Sequence, residues 1–440
     1  MLIDSWPASA AAWDRAKRSL AGGVSTGMRG SMKPHPLFFQ GGQGARLTDL
    51  DGNSYLDHVL GWGPVILGHG HAGLTRAVAE VLGGGATFGA GHRWEYEAAE
   101  RVLAAIPGTE RLIWSNTGSE ATQVALRLAR AATGRHRFVK MIGHYHGWSD
   151  SFLLGYRPDH HGSLTSLGSQ GQRESALADV SLLPFGDLEA AAAVLKEPEA
   201  DVAAVFVEPV LCNSGVIAPP EGYLAGLREL CDATGTVLIF DEVITGFRLA
   251  RGGAVEKYGV QPDLVVLAKA IAGGYPLSAV AGRAALLDQV MSGVVHAGTY
   301  NGNPVVLAAA VATLDALSEE GIYPAFDARG RELSDGMRTA IRTHGVPGTV
   351  NQVGPVVQCL FGVDQADTIE TFLAGDQVFY DRLLVHLLRR GVFALPGGRW
   401  YISTAHTASD IATVVGAFEQ ALAATVADGP APIRPVAASE

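Results

Sequence analysis

An acid and a lysine follow two consecutive apolar runs of the sequence. Asp241 comes directly after TVLIF (236–240), and Lys269 comes directly after DLVVLA (263–268). Unbroken apolar runs of this kind are typical of strands buried on both faces of a parallel sheet. Ligands of open α/β sheets bind at the carboxyl edge of the strands, so we expect both side chains to reach one ligand. A buried ion pair, or a lysine that extends to solvent, is the alternative.

The turn Gly273-Gly274-Tyr275-Pro276 lies just beyond Lys269. A salt bridge does not require such a turn, whereas a bulky ligand pressed against the backbone does, because glycine lets other atoms approach closely. The turn therefore favours a ligand site over a simple ion pair.

The run SNTGSE (115–120) lies between a predicted strand and a predicted helix, and we expect Ser119 to cap that helix. The free N–H groups at a helix N-terminus bind anions, and the hydroxyls of Thr117 and Ser119 add donors. An ordinary helix cap is the alternative. The run GHYHGW (143–148) follows another predicted strand, and an aromatic side chain there could stack on a flat ligand. Together these elements predict a pocket for a flat, phosphorylated, electrophilic cofactor.

Alternation of helical and strand patterns predicts the scaffold that holds these residues. We predict strands in RLIWS, RFVKMI, VAAVFVEPV, TVLIFDE, DLVVLAK and SAVAG (111–115, 137–142, 202–210, 236–242, 263–269 and 278–282). Helical patterns occupy 120–133 and 222–235, and alanine-rich runs at 188–196 and 306–317 predict further packed helices. This alternation is typical of a mostly parallel α/β sheet.

The flanking regions have different patterns. A short helix at 10–20 precedes a hairpin signal at 44–59, where an Asp-Gly turn joins two alternating stretches. We predict four regions: an N-terminal segment (1–60) that packs with the small domain, a large cofactor-binding domain (61–320), a C-terminal α+β domain (321–428) with a last helix at 409–425, and a disordered tail (429–440).

Composition excludes several classes of protein. Of the 440 residues 48% are hydrophobic and 18% are charged, which indicates a large buried core, and the net charge is −11. No basic stripe is present, so we expect no nucleic-acid partner. No stretch approaches the roughly 20 apolar residues that a membrane span needs, and the N-terminus lacks a signal-peptide pattern. We expect a cytoplasmic protein.

Metal binding is not indicated either. The three cysteines form no CxxC pair, and the local histidines lack a recognised ligand spacing. These histidines are His144, His146, His160 and His161.

The motifs taken together resemble the class III aminotransferases, within them the glutamate-1-semialdehyde aminomutase-like group. The resemblance runs from about residue 22 to about residue 425, and its motifs are SNTGSEA (115–121), YHG (145–147), VEPVLCNSG (207–215), DEVITGFR (241–248), LAKAIAGGYP (267–276) and GTYNGNP (298–304). It implies the α/β fold of type I pyridoxal-phosphate (PLP) transferases, which resembles aspartate aminotransferase. That fold has a mostly parallel seven-stranded sheet and a smaller α+β domain.

The resemblance implies a role for each matching residue. Lys269 matches the lysine that forms a Schiff base with PLP, and Asp241 the carboxylate that pairs with the pyridine nitrogen. Val243 matches the side chain under the ring and Tyr145 the aromatic residue above it. The remaining cofactor contacts implied are Thr117, Gly118, Ser119, His146, Glu208, Asn213 and Thr299. Thr299 resembles a threonine that reaches the phosphate of the neighbouring subunit, which implies a homodimer with shared sites.

Substrate residues are implied less directly. Arg29 matches an arginine that binds a substrate carboxylate, and Trp62 an aromatic residue that lines the pocket; structural roles are the alternatives. His92 and Arg93 lie in a segment that borders the neighbour's site in this group. Two departures from the aminomutase pattern stand out: the segment 155–176 after YHG differs, and Arg399 stands in a region where the aminomutase has an acidic residue. Arg399 is a second candidate anion clamp, or a residue of a salt bridge.

Four functions are compatible with these residues. The leading hypothesis is an intermolecular aminotransferase of specialised or secondary metabolism that acts on small amines and carbonyl compounds, cycling between PLP and pyridoxamine phosphate. An intramolecular aminomutase and a racemase or epimerase use the same cofactor. A non-catalytic scaffold is disfavoured because Lys269 and Asp241 are both present.

Overall fold

The computed structural model describes residues 2–158, 162–197, 199–430 and 432. Predictions for His160, His161 and the tail beyond residue 430, except residue 432, lie outside these residues. The chain divides into two compact units, one made of residues 1–72 and 324–440 and the other of residues 73–323.

The strands are numbered in chain order. They are β1 (Phe39–Gln43), β2 (Arg46–Asp49), β3 (Ser54–Asp57), β4 (Arg111–Ser115), β5 (Arg137–Met141), β6 (Val180–Leu183), β7 (Val202–Val207), β8 (Val237–Asp241), β9 (Leu264–Leu267), β10 (Ser278–Gly282), β11 (Gly348–Val353), β12 (Val356–Phe361), β13 (Val392–Phe393) and β14 (Arg399–Tyr401).

The helices surround these strands. They are α1 (Pro7–Ala16), α2 (Ala72–Leu82), α3 (Arg93–Ala105), α4 (Gly118–Thr133), α5 (Asp150–Leu153), α6 (Leu188–Leu195), α7 (Tyr223–Thr234), α8 (Gly253–Tyr258), α9 (Ala284–Leu287), α10 (Pro304–Leu317), α11 (Ile322–Thr343), α12 (Ile369–Leu373), α13 (Gln377–Leu388) and α14 (Ala408–Ala427). Short 3₁₀ helices occupy Ala21–Gly23, Gly27–Ser31, Glu174–Asp179, Lys269–Ala272 and Asp288–Met291.

A seven-stranded sheet forms the centre of the unit at 73–323, in the order β4-β10-β9-β8-β7-β5-β6. Strands β6, β5, β7, β8 and β9 pair in parallel, and β10 runs antiparallel to both β9 and β4. All six predicted strands are confirmed. The sequence pattern did not predict β6, a short strand at the sheet edge whose residues are mostly half-buried and lack an unbroken apolar run.

Burial on both faces explains why the central strands are apolar throughout. Every residue of β7, β8 and β9 is buried. Helix α4 packs against this sheet through apolar side chains three or four positions apart, among them Val124 and Leu128. The carboxyl ends of β8 and β9 are thereby held at the same sheet edge.

The unit at 1–72 and 324–440 contains two small sheets, β1-β2-β3-β13 and β11-β12-β14. The predicted hairpin is confirmed as the antiparallel pair β2–β3. Its turn forms because the Asp49 carboxylate accepts the N–H groups of Asp51 and Asn53 at 3.0 and 2.8 Å, while Gly52 adopts φ +83°.

The last helix corrects one expectation from composition. By length and apolar composition alone, α14 is able to cross a membrane, although no stretch of that kind was expected. Core helices meet the same criterion, and α14 buries Ile411, Val414, Phe418 and Leu422 and packs against α13. We therefore interpret α14 as a packed helix of its unit.

Candidate active site

The structure brings Asp241 and Lys269 to the same edge of the sheet. Asp241 is the last residue of β8 and lies opposite Val266 of the parallel strand β9. That strand ends at Leu267, two residues before Lys269. Burial raises the pKa of the Asp241 carboxyl group, and the positive charge of Lys269 opposes that rise. The two groups therefore share one electrostatic environment.

Lys269 occupies a strained backbone conformation. Its φ is +49°, in the left-handed region that residues other than glycine rarely adopt. Such a conformation costs roughly 1–3 kcal/mol and is concentrated at functional sites, where the surrounding structure enforces it. Here the residue opens the 3₁₀ helix Lys269–Ala272, immediately after a fully buried strand.

Gly273 ends that 3₁₀ helix. A ligand was expected against this turn, but the atoms next to Gly273 belong to protein side chains. Its φ is +57°, and a Cβ atom there would lie 2.5 Å from Leu74 Cδ1 and 2.7 Å from Thr313 Oγ1. The glycine is thus required by its backbone angle and by packed protein side chains, without any ligand.

Asp241 is buried and makes two hydrogen bonds. Its Oδ1 accepts the N–H of Val243 at 3.0 Å, and its Oδ2 lies 2.7 Å from Nδ1 of His146. Burial raises the pKa of Asp241 to about 6, although the Val243 N–H and the positive charges of Lys269 and Lys140 act in the opposite direction. The carboxylate is consequently poised to gain stabilisation from an additional positive charge.

His146 is buried beside this carboxylate. Burial lowers the pKa of its imidazole well below the usual value, and the positive charge of Lys140 acts in the same direction. The ring is therefore neutral, and an ionised carboxylate can only accept, so Nδ1 carries the proton that it donates to Asp241. His146 thus fixes the orientation of the carboxylate and leaves the ring uncharged.

Tyr145 is held by its backbone and by a neighbouring ring. Its N–H donates to Glu208 Oε1 at 2.7 Å, and its ring centroid lies 4.7 Å from that of Tyr156. Glu208 Oε1 also accepts the Asn213 side-chain amide at 3.0 Å. One buried carboxylate therefore links the YHG turn to the segment that carries Asn213.

The N-terminus of α4 has a different cap from the one predicted. Thr117, not Ser119, is the N-cap: its hydroxyl accepts the Glu120 N–H at 3.3 Å, and Glu120 Oε2 accepts the Thr117 N–H at 2.8 Å. Ser119 is the second residue of the helix, where its Oγ accepts the Trp148 N–H at 3.3 Å. The prediction was wrong because a Thr-x-x-Glu capping box satisfies two N–H groups at once.

Close packing at this helix terminus forms a cradle that fits a flat phosphorylated group. A Cβ atom on Gly118 would lie 3.3 Å from Val243 Cγ2, and one on Gly147 would lie 2.5 Å from Ser119 Oγ. A larger residue at Gly147 would clash, and one at Gly118 would be tightly packed against Val243. The two glycines leave backbone N–H groups and hydroxyls as donors next to a positive helix end. The donor set and the neighbouring Asp241 fit PLP.

Thr299 lies apart from these contacts and is exposed. Its loop is fixed to the start of α4 through Asn301, whose Oδ1 accepts the Asn116 side-chain amide at 2.8 Å. His296 adds contacts of 3.3 Å to both Ser115 Oγ and Asn301 Nδ2. The loop thus presents Thr299 on the surface of this unit.

His92 and Arg93 make contacts near the start of α3. His92 is the N-cap residue, and its Nε2 lies 2.8 Å from the carbonyl oxygen of Gly302. Arg93 is exposed and stacks on the Trp94 ring at 4.4 Å. His92 is thus bonded to the segment that follows Thr299.

Two predicted substrate residues line one cavity in the unit at 1–72 and 324–440. Arg29 and Trp62 both border a cavity of about 350 Å³ whose walls are mostly apolar. The apolar lining includes Leu20, Val24, Met32, Phe38, Phe39 and Phe393. Within the described ranges, the Arg29 guanidinium has no hydrogen-bond or ion-pair partner. It is available to an anion.

Asp57 and His69, two further polar residues of this cavity, are bonded to each other. Asp57 Oδ2 lies 2.7 Å from His69 Nε2, and both residues border the cavity. Arg399 belongs to β14 in the same unit, and its guanidinium lies 5.4 Å from the centre of the Tyr401 ring.

Sequence reasoning missed Lys140, Gly147 and Ser278. Lys140 is a charged residue in the middle of the predicted strand RFVKMI, which was a usable signal. Ser278 donates to the Thr117 carbonyl oxygen at 2.7 Å, a contact that no local pattern indicates. No group of three possible metal ligands occurs in the part of the chain that the structure describes.

Comparison with known proteins agrees with this fold and with a PLP cofactor. The class-III aminotransferase family matches residues 28–422. A glutamate-1-semialdehyde 2,1-aminomutase of Desulforudis audaxviator is 40% identical over 422 residues, covering 94% of this chain and 97% of that protein. The structure of an omega-transaminase from Sphaerobacter thermophilus is 30% identical with a TM-score of 0.89, covering 95% and 98% of the two chains. A transaminase structure with PLP bound is 31% identical with a TM-score of 0.89, covering 97% and 100%.

The fold and the comparisons define a PLP-dependent enzyme of the type I transferase fold. More narrowly, the chain belongs to the class-III aminotransferase family.

Proposed function

We propose that this enzyme is an intermolecular aminotransferase that moves an amino group from an amine or amino acid to an aldehyde or keto acceptor. The observation that carries the proposal is the shared sheet edge of Lys269 and Asp241, with a neutral His146 hydrogen-bonded to Oδ2 of the carboxylate. PLP bound there supplies an electron-withdrawing ring that stabilises negative charge on the substrate carbon.

The residues that would hold PLP surround this edge. Lys269 would carry the cofactor covalently, Asp241 would pair with the ring nitrogen, and Val243 and Tyr145 would contact the two ring faces. The phosphate would bind at the N-terminus of α4, with Thr117, Gly118 and Ser119 as donors. Asn213 would contact the ring. His146 would fix the position of Asp241, and Glu208 would fix the positions of Tyr145 and Asn213.

Proton transfer falls to Lys269. Its Nζ would be the base that removes a proton from the substrate carbon and would deliver that proton to C4′ of the cofactor. Asp241 keeps the ring nitrogen protonated because a buried carboxylate is stabilised by an adjacent positive charge. His146 holds that carboxylate in place without adding a charge of its own.

Substrate binding is proposed for five residues. Arg29 would bind a substrate carboxylate, because its planar guanidinium is unpaired within the described residues and borders an apolar cavity. Trp62 would contact the body of the substrate. His92, Arg93 and Arg399 are further candidates for reading a polar or anionic group.

Thr299 is proposed to act across a homodimer. Its exposure on a loop anchored by Asn116 and Asn301 supports a contact with the phosphate bound to a neighbouring subunit. The cytoplasmic location expected from the sequence stays a prediction.

An intramolecular aminomutase is the second candidate. The observation in its favour is the 40% identity to an aminomutase over nearly the whole chain. The departures at 155–176 and at Arg399 favour the intermolecular reaction instead.

A donor screen tests the proposal. The purified holoenzyme is mixed with a panel of amino acids and amines, and the visible absorption band of the cofactor is followed. An aminotransferase loses this band with its donor and regains it with a keto acid, and Lys269→Ala removes both responses. Turnover of a single substrate without any second substrate would instead identify a mutase, and exchange of the α-hydrogen without amine transfer would identify a racemase.

A further inference from the structure

Lys140 is a fully buried lysine that the proposed reaction does not use directly. It lies on β5, and its side chain is 0% exposed. Its Nζ donates to three backbone carbonyl oxygens: those of His144 at 3.1 Å, Phe152 at 2.8 Å and Leu154 at 2.5 Å. These three bonds use every proton of an ammonium group.

The three carbonyl groups lie at the two ends of one segment, residues 144–154. This segment begins with the YHG turn, which carries Tyr145 and His146, and it is closed at its base by a hydrogen bond from Gly143 N to Gly155 O at 2.6 Å. Lys140 therefore ties both ends of the segment to the sheet below it. Loss of these bonds would leave three buried carbonyl groups without their donor.

The charged neighbours of Lys140 also belong to the candidate site. Burial lowers the pKa of Lys140 to about 7, although the carboxylates of Glu208 and Asp241 act on its ammonium group in the opposite direction. The neighbouring imidazoles of His144 and His146 are neutral, because burial lowers the pKa of each well below its usual value. Lys140 is thus a source of positive charge near Asp241, and this charge is greatest below pH 7.

Core packing alone does not account for a lysine at this position. Every residue of β5 from Phe138 to Met141 is buried, and an apolar side chain would fill a strand position there without the cost of burying an ammonium group. The cost is offset where the ammonium satisfies a set of buried acceptors and faces buried carboxylates. Both conditions are met here, and both involve groups next to the proposed cofactor.

We propose that Lys140 is a positioning residue of the cofactor site: it holds the segment 144–154 that presents Tyr145 and His146, and it supplies positive charge near Asp241. This inference rests on the roles proposed above for these three residues. Lys140 would make two contributions: hydrogen-bond donation to the segment and positive charge near Asp241.

Three variants separate the two contributions. Lys140→Met removes donors and charge, Lys140→Gln keeps two N–H donors without charge, and Lys140→Arg keeps both. Lys257→Met, at an exposed position of α8, is the matched control. On each purified holoenzyme we would measure the rate of PLP release, the pH midpoint of its visible band, and hydrogen–deuterium exchange of residues 144–154.

Lys140→Met is expected to release PLP at least about tenfold faster, because the segment that presents Tyr145 and His146 loses its hydrogen bonds to a charged group and holds the cofactor less firmly. Exchange at 144–154 should rise more than exchange at β7 and β8. Lys140→Met and Lys140→Gln should both shift the pH midpoint of the band upward by roughly half a unit or more, because removing a positive charge makes nearby groups bind protons more tightly. Lys140→Arg should restore the midpoint.

Each outcome decides one part of the proposal. Unchanged PLP release and unchanged exchange in Lys140→Met overturn the role in holding the segment, as does a rise in exchange that is uniform over the sheet. An unchanged pH midpoint in Lys140→Gln overturns the role of the charge. If Lys140→Met does not fold, Lys140→Gln, which lacks the charge and one of the three donors, is compared with Lys140→Arg by the same readouts. These readouts need no substrate, so failure of the aminotransferase assignment would appear separately in the donor screen.

Discussion

Nδ1 of His146 lies 2.7 Å from Oδ2 of Asp241, and both side chains are buried. The bond joins the YHG turn, which follows β5, to the end of β8, two strands away in the sheet. A neutral imidazole in this position orients the carboxylate without neutralising it. The negative charge of Asp241 therefore remains available to the cofactor.

Replacement of His146 tests this relationship. His146→Leu removes the donor to Asp241, and a hydrogen bond to a charged group contributes about 1.5–3 kcal/mol. We expect PLP affinity and turnover to fall about tenfold to a hundredfold. His146→Asn is the matched variant, because its side-chain amide retains an N–H donor, and it should keep most of the activity. Equal losses in the two variants would contradict a role for the hydrogen bond.

The raised pKa of Asp241 predicts how cofactor binding depends on pH. Burial raises this pKa to about 6, so below pH 6 the carboxyl group of the cofactor-free enzyme is mostly protonated. PLP with a protonated ring nitrogen requires the ionised form, so Asp241 contributes a loss of affinity of about tenfold for each pH unit below 6. Dissociation constants measured from pH 4.5 to 8 check this.

Asp241→Asn is the control for the pH series. It should bind PLP more weakly at pH 8 and lack the Asp241 contribution to the decline below pH 6, while turnover falls by several orders of magnitude.

The raised pKa of Asp241 also affects folding stability. A carboxyl group whose pKa is raised by folding stabilises the fold below its unfolded pKa and loses that contribution as the pH rises through about 6. Cofactor-free Asp241→Asn should therefore gain thermal stability over the native enzyme at pH 8 and little at pH 4.5.

The sheet could be predicted from sequence because its strands are encoded locally. Runs such as TVLIF are apolar on both faces, and only a sheet covered on both sides gives every position an apolar environment. Strand β6 lacked this signal because it pairs on one side only and is half-buried. The adjacency of Asp241 and Lys269 followed from the rule that carboxyl ends of parallel strands share an edge.

The supporting contacts could not be predicted in the same way. The bond between His146 and Asp241 joins residues 95 positions apart, and no local spacing encodes it. Lys140 was visible as a charge within an apolar run, but its three acceptors depend on how the chain returns at Phe152 and Leu154. The cap at α4 was predictable in principle, since Thr117 and Glu120 have capping-box spacing.

Because Thr117 and not Ser119 caps α4, substitutions at these two positions should affect helix stability and anion binding separately. Thr117→Ala removes the hydroxyl that caps α4 and should cost about 1 kcal/mol of folding free energy, seen as a lower melting temperature of the cofactor-free enzyme. Ser119→Ala leaves the capping box intact and should leave that temperature nearly unchanged. If Ser119 binds the phosphate, the Ser119→Ala substitution should weaken PLP binding about tenfold. A larger loss of stability in Ser119→Ala than in Thr117→Ala would contradict the assignment of the cap.

Arg29 offers a test of substrate recognition that is independent of the cofactor. Its side chain is exposed and, in the described ranges of the chain, unpaired, so Arg29→Gln should leave the melting temperature and the visible band of the holoenzyme unchanged. If the guanidinium binds a substrate carboxylate at two points, Arg29→Gln should raise KM about tenfold to a hundredfold for carboxylate donors, which corresponds to about 1.5–3 kcal/mol. Arg29→Lys should recover part of that loss, because an ammonium keeps the charge without the two-point geometry. Donors without a carboxylate should react equally well with all three enzymes. A KM change of the same size for those donors would show that Arg29 maintains the cavity and does not bind the carboxylate.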